Sequence, residues 1–189
     1  MYSIVTTPNK ILLGTAKPVT NFDKKLKNIL MGMAETLITT SDPIGVGLAA
    51  PQVGLALRIF QMKPTEKSKV TSFINPVIVS ISKEDSKEVR HSGKITQQKS
   101  NNRLLEGCLS LPNIWGNVTR KKELTLSFQD ENGNKLKQTF SGFPAIIIQH
   151  EVDHLNGILF TKRVMDQKEK LFKSHKDEKR EDVFEEIKL

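Results

Sequence analysis

His150-Glu151-Val152-Asp153-His154 is the segment of this chain best suited to chemistry. Residues on a helix turn about 100° each, so positions i and i+4 lie roughly 40° apart, one turn along the same face. The two imidazoles can then bind a single metal ion. Glu151, about 100° round from His150, can reach water at such an ion without being a ligand. Asp153 is not required by the two-histidine geometry. It reads either as an acceptor that orients a ligand ring or as a plain capping or surface residue.

Two histidines leave a tetrahedral ion short of one protein ligand. Downstream, the acidic residues and His175 fall in a charge-rich tail, a poor place for a buried ligand. Upstream, Glu106-Gly107-Cys108-Leu109-Ser110-Leu111-Pro112 offers Cys108, whose thiolate is a soft ligand for zinc or ferrous iron. Two His and one Cys leave one position open, which marks a catalytic site rather than a structural one. Cys108 is the sole cysteine, so an internal disulfide is excluded and a reducing compartment is expected. A third segment, Gly45-Val46-Gly47-Leu48-Ala49-Ala50-Pro51-Gln52, is rich in small residues. The Gln52 carboxamide can donate to a developing oxyanion without changing charge.

The elements around these segments must bring them together. Phe22, Leu26, Leu30, Met33 and Leu37 recur at helical spacing and predict a helix over 22–40, capped by Asn21. Strand-like runs occupy 55–62 and 71–81, while 82–103 is polar and reads as an exposed excursion. Alternating apolar residues on both sides of Asn132-Gly133 predict a β-hairpin. Residues 144–156 predict a buried helix, opened by Pro144 and closed by Gly157, which carries both histidines. The tail from Met165 reads as a charge-rich helix. Strands without alternating helices point to an α+β fold.

The chain has 189 residues, enough for one domain that buries roughly 70% of its unfolded surface. Hydrophobic residues make up 37% and charged residues 26%, the balance of a globular protein. No run reaches ~18 uninterrupted apolar residues, and the first eight residues lack the charge and apolar core of a secretory signal. The net charge of +8 favours polyanions such as RNA. Residues 162–189 contribute nine basic and eight acidic side chains, so the excess lies elsewhere and is spread out. One Trp and one Tyr give little surface for stacking bases.

The three motifs together, in order and spacing, resemble the peptide deformylase family. The first is Gly45 to Gln52, the second Glu106 to Ser110, the third Gln149 to His154. The likeness runs from about residue 3 to about 165 and includes the opening Ile4-Val5-Thr6-Thr7-Pro8. It implies small antiparallel β-sheets around a central metal-bearing helix, with an N-terminal and a C-terminal helix. A catalytic domain would span 1–165 and a charged helical tail 166–189. It implies a cytoplasmic hydrolase that removes the formyl group from N-terminal formyl-methionine of nascent polypeptides. One Fe²⁺ per chain would be held by Cys108, His150 and His154, with Zn²⁺, Ni²⁺ or Co²⁺ able to substitute. Glu151 would be the acid/base, and Gln52 and the Leu109 N–H the oxyanion donors. Val46, Gly47, Leu104, Phe143 and Ile146 match positions near the methionine pocket.

The likeness further suggests a C-terminal helix as a ribosome contact, and no DNA or membrane partner. Two departures stand out. Residues 83–103 are longer than in compact members, where an insertion could reshape the cleft or mediate oligomerisation. Trp115 stands where many members carry an arginine that contacts substrate backbone. Two rival readings are a different HExxH peptidase, which would use a Glu or His as third ligand, and an RNA- or ribosome-binding module with a structural metal.

Overall fold

The computed structural model describes residues 1–41, 44–86, 105–177 and 182–188. The first helix, α1 (Lys24–Thr39), buries the expected stripe of Leu26, Leu30, Met33 and Leu37. Its cap is Asp23 rather than Asn21: the Asp23 carboxylate accepts from the Leu26 N–H at 3.0 Å. A carboxylate also suits the positive end of the helix dipole, which explains the shift of two residues.

Strands β1 (Gly47–Ala49), β2 (Ile59–Met62) and β3 (Thr71–Ile81) follow; β4 (Leu105–Cys108) and β5 (Leu111–Asn117) come next in the chain, and then β6 (Glu123–Gln129) and β7 (Lys135–Ser141). Five of these form an antiparallel sheet in the order β1-β2-β3-β6-β7. The β6–β7 hairpin turns at Asn132-Gly133 as expected, with Asp130 accepting from the N–H groups of Asn132 and Asn134. Phe60 and Phe73 stack at 4.6 Å between ring centres, and Phe128 tilts against Phe73 at 4.8 Å.

Helix α2 (Phe143–Leu155) lies on that core. Ala145, Ile147, Ile148, Val152 and Leu155 pack against Phe60, Phe73, Leu124, Leu126 and Phe128. Pro144 stands in its first turn and Gly157, with φ of 71°, follows its end. The α+β arrangement of antiparallel sheets around a central helix is therefore the one expected.

Strands β4 (Leu105–Cys108) and β5 (Leu111–Asn117), joined at Leu109-Ser110, belong to a second sheet. Helix α3 (Phe160–Asp166) packs on it through Phe160 and Val164. The sheet continues into β8 (Leu171–Lys176) and β9 (Asp182–Ile187), in the order β4-β5-β8-β9. This corrects the expectation of a helical tail beyond residue 166. Leu171 and Phe172 are buried against the sheet, and the interleaved charges pair across the strands as Lys170–Glu186 and Lys176–Asp182 rather than along a helix. An available β5 edge decided between two patterns that the charges alone fit equally well. Of the polar excursion, 82–86 runs beside the β5–β6 connection, with Asp85 paired to Lys121; 87–103 lies outside the described residues. Among the described residues no helix is long and apolar enough to cross a membrane.

Candidate metal centre

Three donor atoms converge from two elements. Cys108 ends β4, and His150 and His154 lie one turn apart on α2. The Cys108 Sγ is 3.2 Å from His154 Nε2, which is 3.1 Å from His150 Nε2, and all three donors fall within 4.8 Å of one another. Donors set about 2.0–2.3 Å from one tetrahedral ion stand roughly 3.3–3.6 Å apart, so the set fits a single metal. His175, by contrast, is exposed on β8.

The His150 ring is held by a carboxylate, whereas the buried Nδ1 of His154 has no hydrogen-bond partner among the described residues. The His150 Nδ1 faces Glu106 Oε1 at 2.7 Å. An ionised carboxylate only accepts, so Nδ1 carries a hydrogen and Nε2 is the nitrogen that faces the site, where it offers a lone pair once its own proton is lost. Glu106 is itself forked by Arg120, with Nε to Oε2 at 3.0 Å and Nη2 to Oε1 at 2.7 Å. Burial alone would raise the Glu106 pKa, yet Arg120 and His150 hold it well below the usual carboxylate range. For His150, burial opposes the charged form, but Glu106 and Cys108 raise its pKa well above normal. Burial and the neighbouring His150 push His154 well below normal.

Glu151 is 3% exposed, and its Oε2 has no hydrogen-bond partner among the described residues. Burial pushes its pKa up to about 7. A carboxyl that titrates near neutrality beside three metal donors is suited to carry a proton in both directions. Gln52 stands on the other side of the sulfur. Its Oε1 accepts from the Ala49 N–H at 2.8 Å, which turns its Nε2 toward Cys108 Sγ at 3.5 Å. The N-terminal segment holds these turns in place: Val5 N–H donates to the Gln52 carbonyl at 2.7 Å and Thr7 N–H to the Ser110 carbonyl at 3.0 Å.

The remaining expected residues fall as follows. Gly47 on β1 lies directly against the Glu151 carboxylate. Leu109 occupies the turn after Cys108. Val46 and Phe143 pack on the core that α2 covers, and Ile146 is 9% exposed on α2. Leu104 lies outside the described residues. Trp115 on β5 pairs with Gly107, and its ring covers that glycine. The indole N–H donates to Ser174 Oγ at 3.0 Å, and the ring meets Phe184 edge-on.

Asp153 does not orient a ligand ring, since Glu106 has that place; it accepts from Arg120 and Arg163 instead. Arg120, Gln149 and Arg163 were not singled out from the sequence for any role at this centre. Gln149 is buried and bonds both backbone atoms of Lys121, with its Oε1 2.9 Å from the N–H and its Nε2 2.8 Å from the carbonyl. Its place as the first residue of the third motif was the signal available.

Comparison with known proteins agrees with this geometry. Residues 1–170 match the sequence profile of the family described as Polypeptide deformylase. The chain is 38% identical over 157 residues to a peptide deformylase of Borreliella burgdorferi, covering 83% of this chain and 84% of that one. It superposes on the crystal structure of the peptide deformylase from Thermotoga maritima with a TM-score of 0.72 at 36% identity, over 86% of this chain and 97% of that one. A Plasmodium falciparum peptide deformylase structure gives 0.73 at 36% identity, covering 88% and 89%.

Proposed function

The chain belongs to the polypeptide deformylase family, enzymes that remove the N-terminal formyl group from nascent polypeptides, and on that premise we propose how its residues divide the work. Cys108, His150 and His154 hold the metal, and the proximity of these three donors is the observation that carries the reading. A bound divalent ion supplies a Lewis acid and makes water nucleophilic near neutral pH. Glu151 removes a proton as water adds to the formyl carbon, then returns it to the amine nitrogen as the C–N bond breaks. The products are formate and a free amino terminus. Nε2 of Gln52, which stands 3.5 Å from the Cys108 sulfur, and the Leu109 N–H donate to the oxygen on which charge develops. Val46, Gly47, Leu104, Phe143 and Ile146 border the methionine side chain, whose flexible thioether suits an apolar wall.

The soft thiolate with two imidazoles supports ferrous iron as the resident ion, with Zn²⁺, Ni²⁺ or Co²⁺ as substitutes. A reducing, cytoplasmic setting fits the single unpaired cysteine. The basic excess supports the ribosome as a further contact, but the segment expected to make it is a hairpin, not a helix. Co-sedimentation with ribosomes tests that contact, and its absence counts against it.

The deciding experiment measures metal content and formate release from formyl-Met-Ala-Ser, for wild type and Glu151→Ala, with Met-Ala-Ser as control. The expected result is one ion in each protein, formate from wild type alone and no cleavage of the control. Bound metal without formate release, or cleavage of the free-amine peptide, would favour a different HExxH peptidase.

A further inference from the structure

Two chain segments far apart in sequence must hold a fixed separation for Cys108 to meet the histidines, and one buried cation bridges them. Arg120 lies in the connection between β5 and β6 and is 7% exposed. Its fork grips Glu106, two residues before Cys108 on β4. Its remaining nitrogen, Nη1, donates to Asp153 Oδ2 at 2.6 Å, and Asp153 immediately precedes His154 on α2. Glu106 in turn bonds His150. The backbone beside Arg120 is pinned to the same helix through Gln149 and Lys121. At the outer end, Arg163 of α3 forks Asp153, with Nη2 to Oδ1 at 2.7 Å and Nε to Oδ2 at 3.1 Å.

We propose that Arg120 is a positioning residue of the metal centre: it ties the strand that carries the sulfur to the helix that carries both imidazoles, and Arg163 supports it through Asp153. This rests on the reading of Cys108, His150 and His154 as metal ligands. The arginine touches none of them. It acts by fixing the Glu106 carboxylate that orients His150 and by fixing the spacing between β4 and α2. A lysine cannot replace it, because one ammonium cannot present a planar fork to Glu106 and a third N–H to Asp153. Buried charges on both carboxylates leave no slack, since each oxygen that loses its partner stays desolvated.

The test uses protein loaded with Co²⁺, whose visible bands report ligand geometry directly. Variants are Arg120→Lys and Arg163→Gln, each checked for folding by circular dichroism. Wild type is expected to show thiolate-to-cobalt and d–d bands. Arg120→Lys is expected to bind Co²⁺ 10–100-fold more weakly, the usual cost of losing a partner that orients a ligand, and to show displaced d–d bands at saturation. Arg163→Gln should shift both in the same direction by less. A folded Arg120→Lys with a lower melting temperature but unchanged cobalt affinity and bands would reduce Arg120 to a stability role and overturn the proposal. Should Arg120→Lys fail to fold, Arg163→Gln decides, and unchanged bands there overturn it. Wild type without thiolate bands would overturn the ligand reading and this proposal with it; wild-type bands with unaltered variants would overturn this proposal alone.

Discussion

The Glu151 carboxylate lies where a β-carbon on Gly47 would stand: such an atom would be 2.8 Å from Glu151 Cδ and 2.9 Å from Ile147 Cγ2. Gly47 is buried on β1, so a methyl there can be accommodated only if the Glu151 carboxylate swings away and Ile147 gives way. Gly47→Ala should therefore keep the metal and displace the carboxylate, with kcat/KM for formate release falling about 10²-fold, the scale expected from a shift near 1 Å. Wild-type turnover in that variant would show that the carboxylate has room to spare.

Gln52 is fixed at both ends of its carboxamide, by the Ala49 N–H and by Cys108 Sγ. Gln52→Leu keeps the volume and removes the donor. Its kcat should drop about 10²–10³-fold with KM changed far less, because an oxyanion donor acts only as charge develops. Steady-state kinetics on a formyl-methionyl peptide separate the two constants; a change confined to KM would argue for a substrate-binding role.

Burial raises the Glu151 pKa to about 7, above its unfolded value near 4.5. A carboxyl raised on folding favours the protonated native state, so the metal-free protein loses stability as pH climbs from about 4.5 to 7. The total is on the order of 3 kcal/mol. Glu151→Gln cannot ionise. Metal-free Glu151→Gln should melt higher than metal-free wild type at pH 8, and the gap should close at pH 5. Parallel melting curves at both pH values would contradict the burial of this charge.

An ion bound only by the native state stabilises it by mass action, about 2.7 kcal/mol when free metal is a hundred times Kd. For a chain this size that corresponds to a melting shift of roughly 5–10 °C. Chelation should lower the melting temperature by that amount and speed modification of the buried Cys108 thiol by a disulfide reagent at least about tenfold, since ligation occupies the sulfur. Equal reactivity before and after chelation would remove Cys108 from the ligand set.

The terminal hairpin completes the second sheet. Leu171 and Phe172 are each 7% exposed, and Ser174 holds the indole of Trp115, the only tryptophan. Truncation after Asp166 should cost about 3–6 kcal/mol from two buried apolar side chains, and should shift Trp115 fluorescence to the red as its cover is lost. An unshifted spectrum in the truncated protein would mean that the hairpin is dispensable to the sheet.

Local pattern carried much of this molecule. The stripe on α1, the Asn-Gly hairpin and the buried helix ending at Gly157 each depend on residues within one or two turns of each other, and periodicity reads such contacts directly. The spacing of His150 and His154 is local for the same reason, and so is the role of Glu151 between them. The terminal segment failed that test because interleaved charge suits a solvated helix and an edge hairpin alike; only the open edge of β5 chose.

What the sequence determined alone was the set of candidate groups: two imidazoles and a carboxyl on one helix, one thiol, one carboxamide, and the family likeness that relates them. What only the tertiary structure decided was how they are held. Arg120 stands 14 residues from Glu106 and 33 from Asp153, at separations that obey no helical or strand period. A buried guanidinium finds its carboxylates through the packing of two sheets on one helix, and no local pattern marks which arginine that will be.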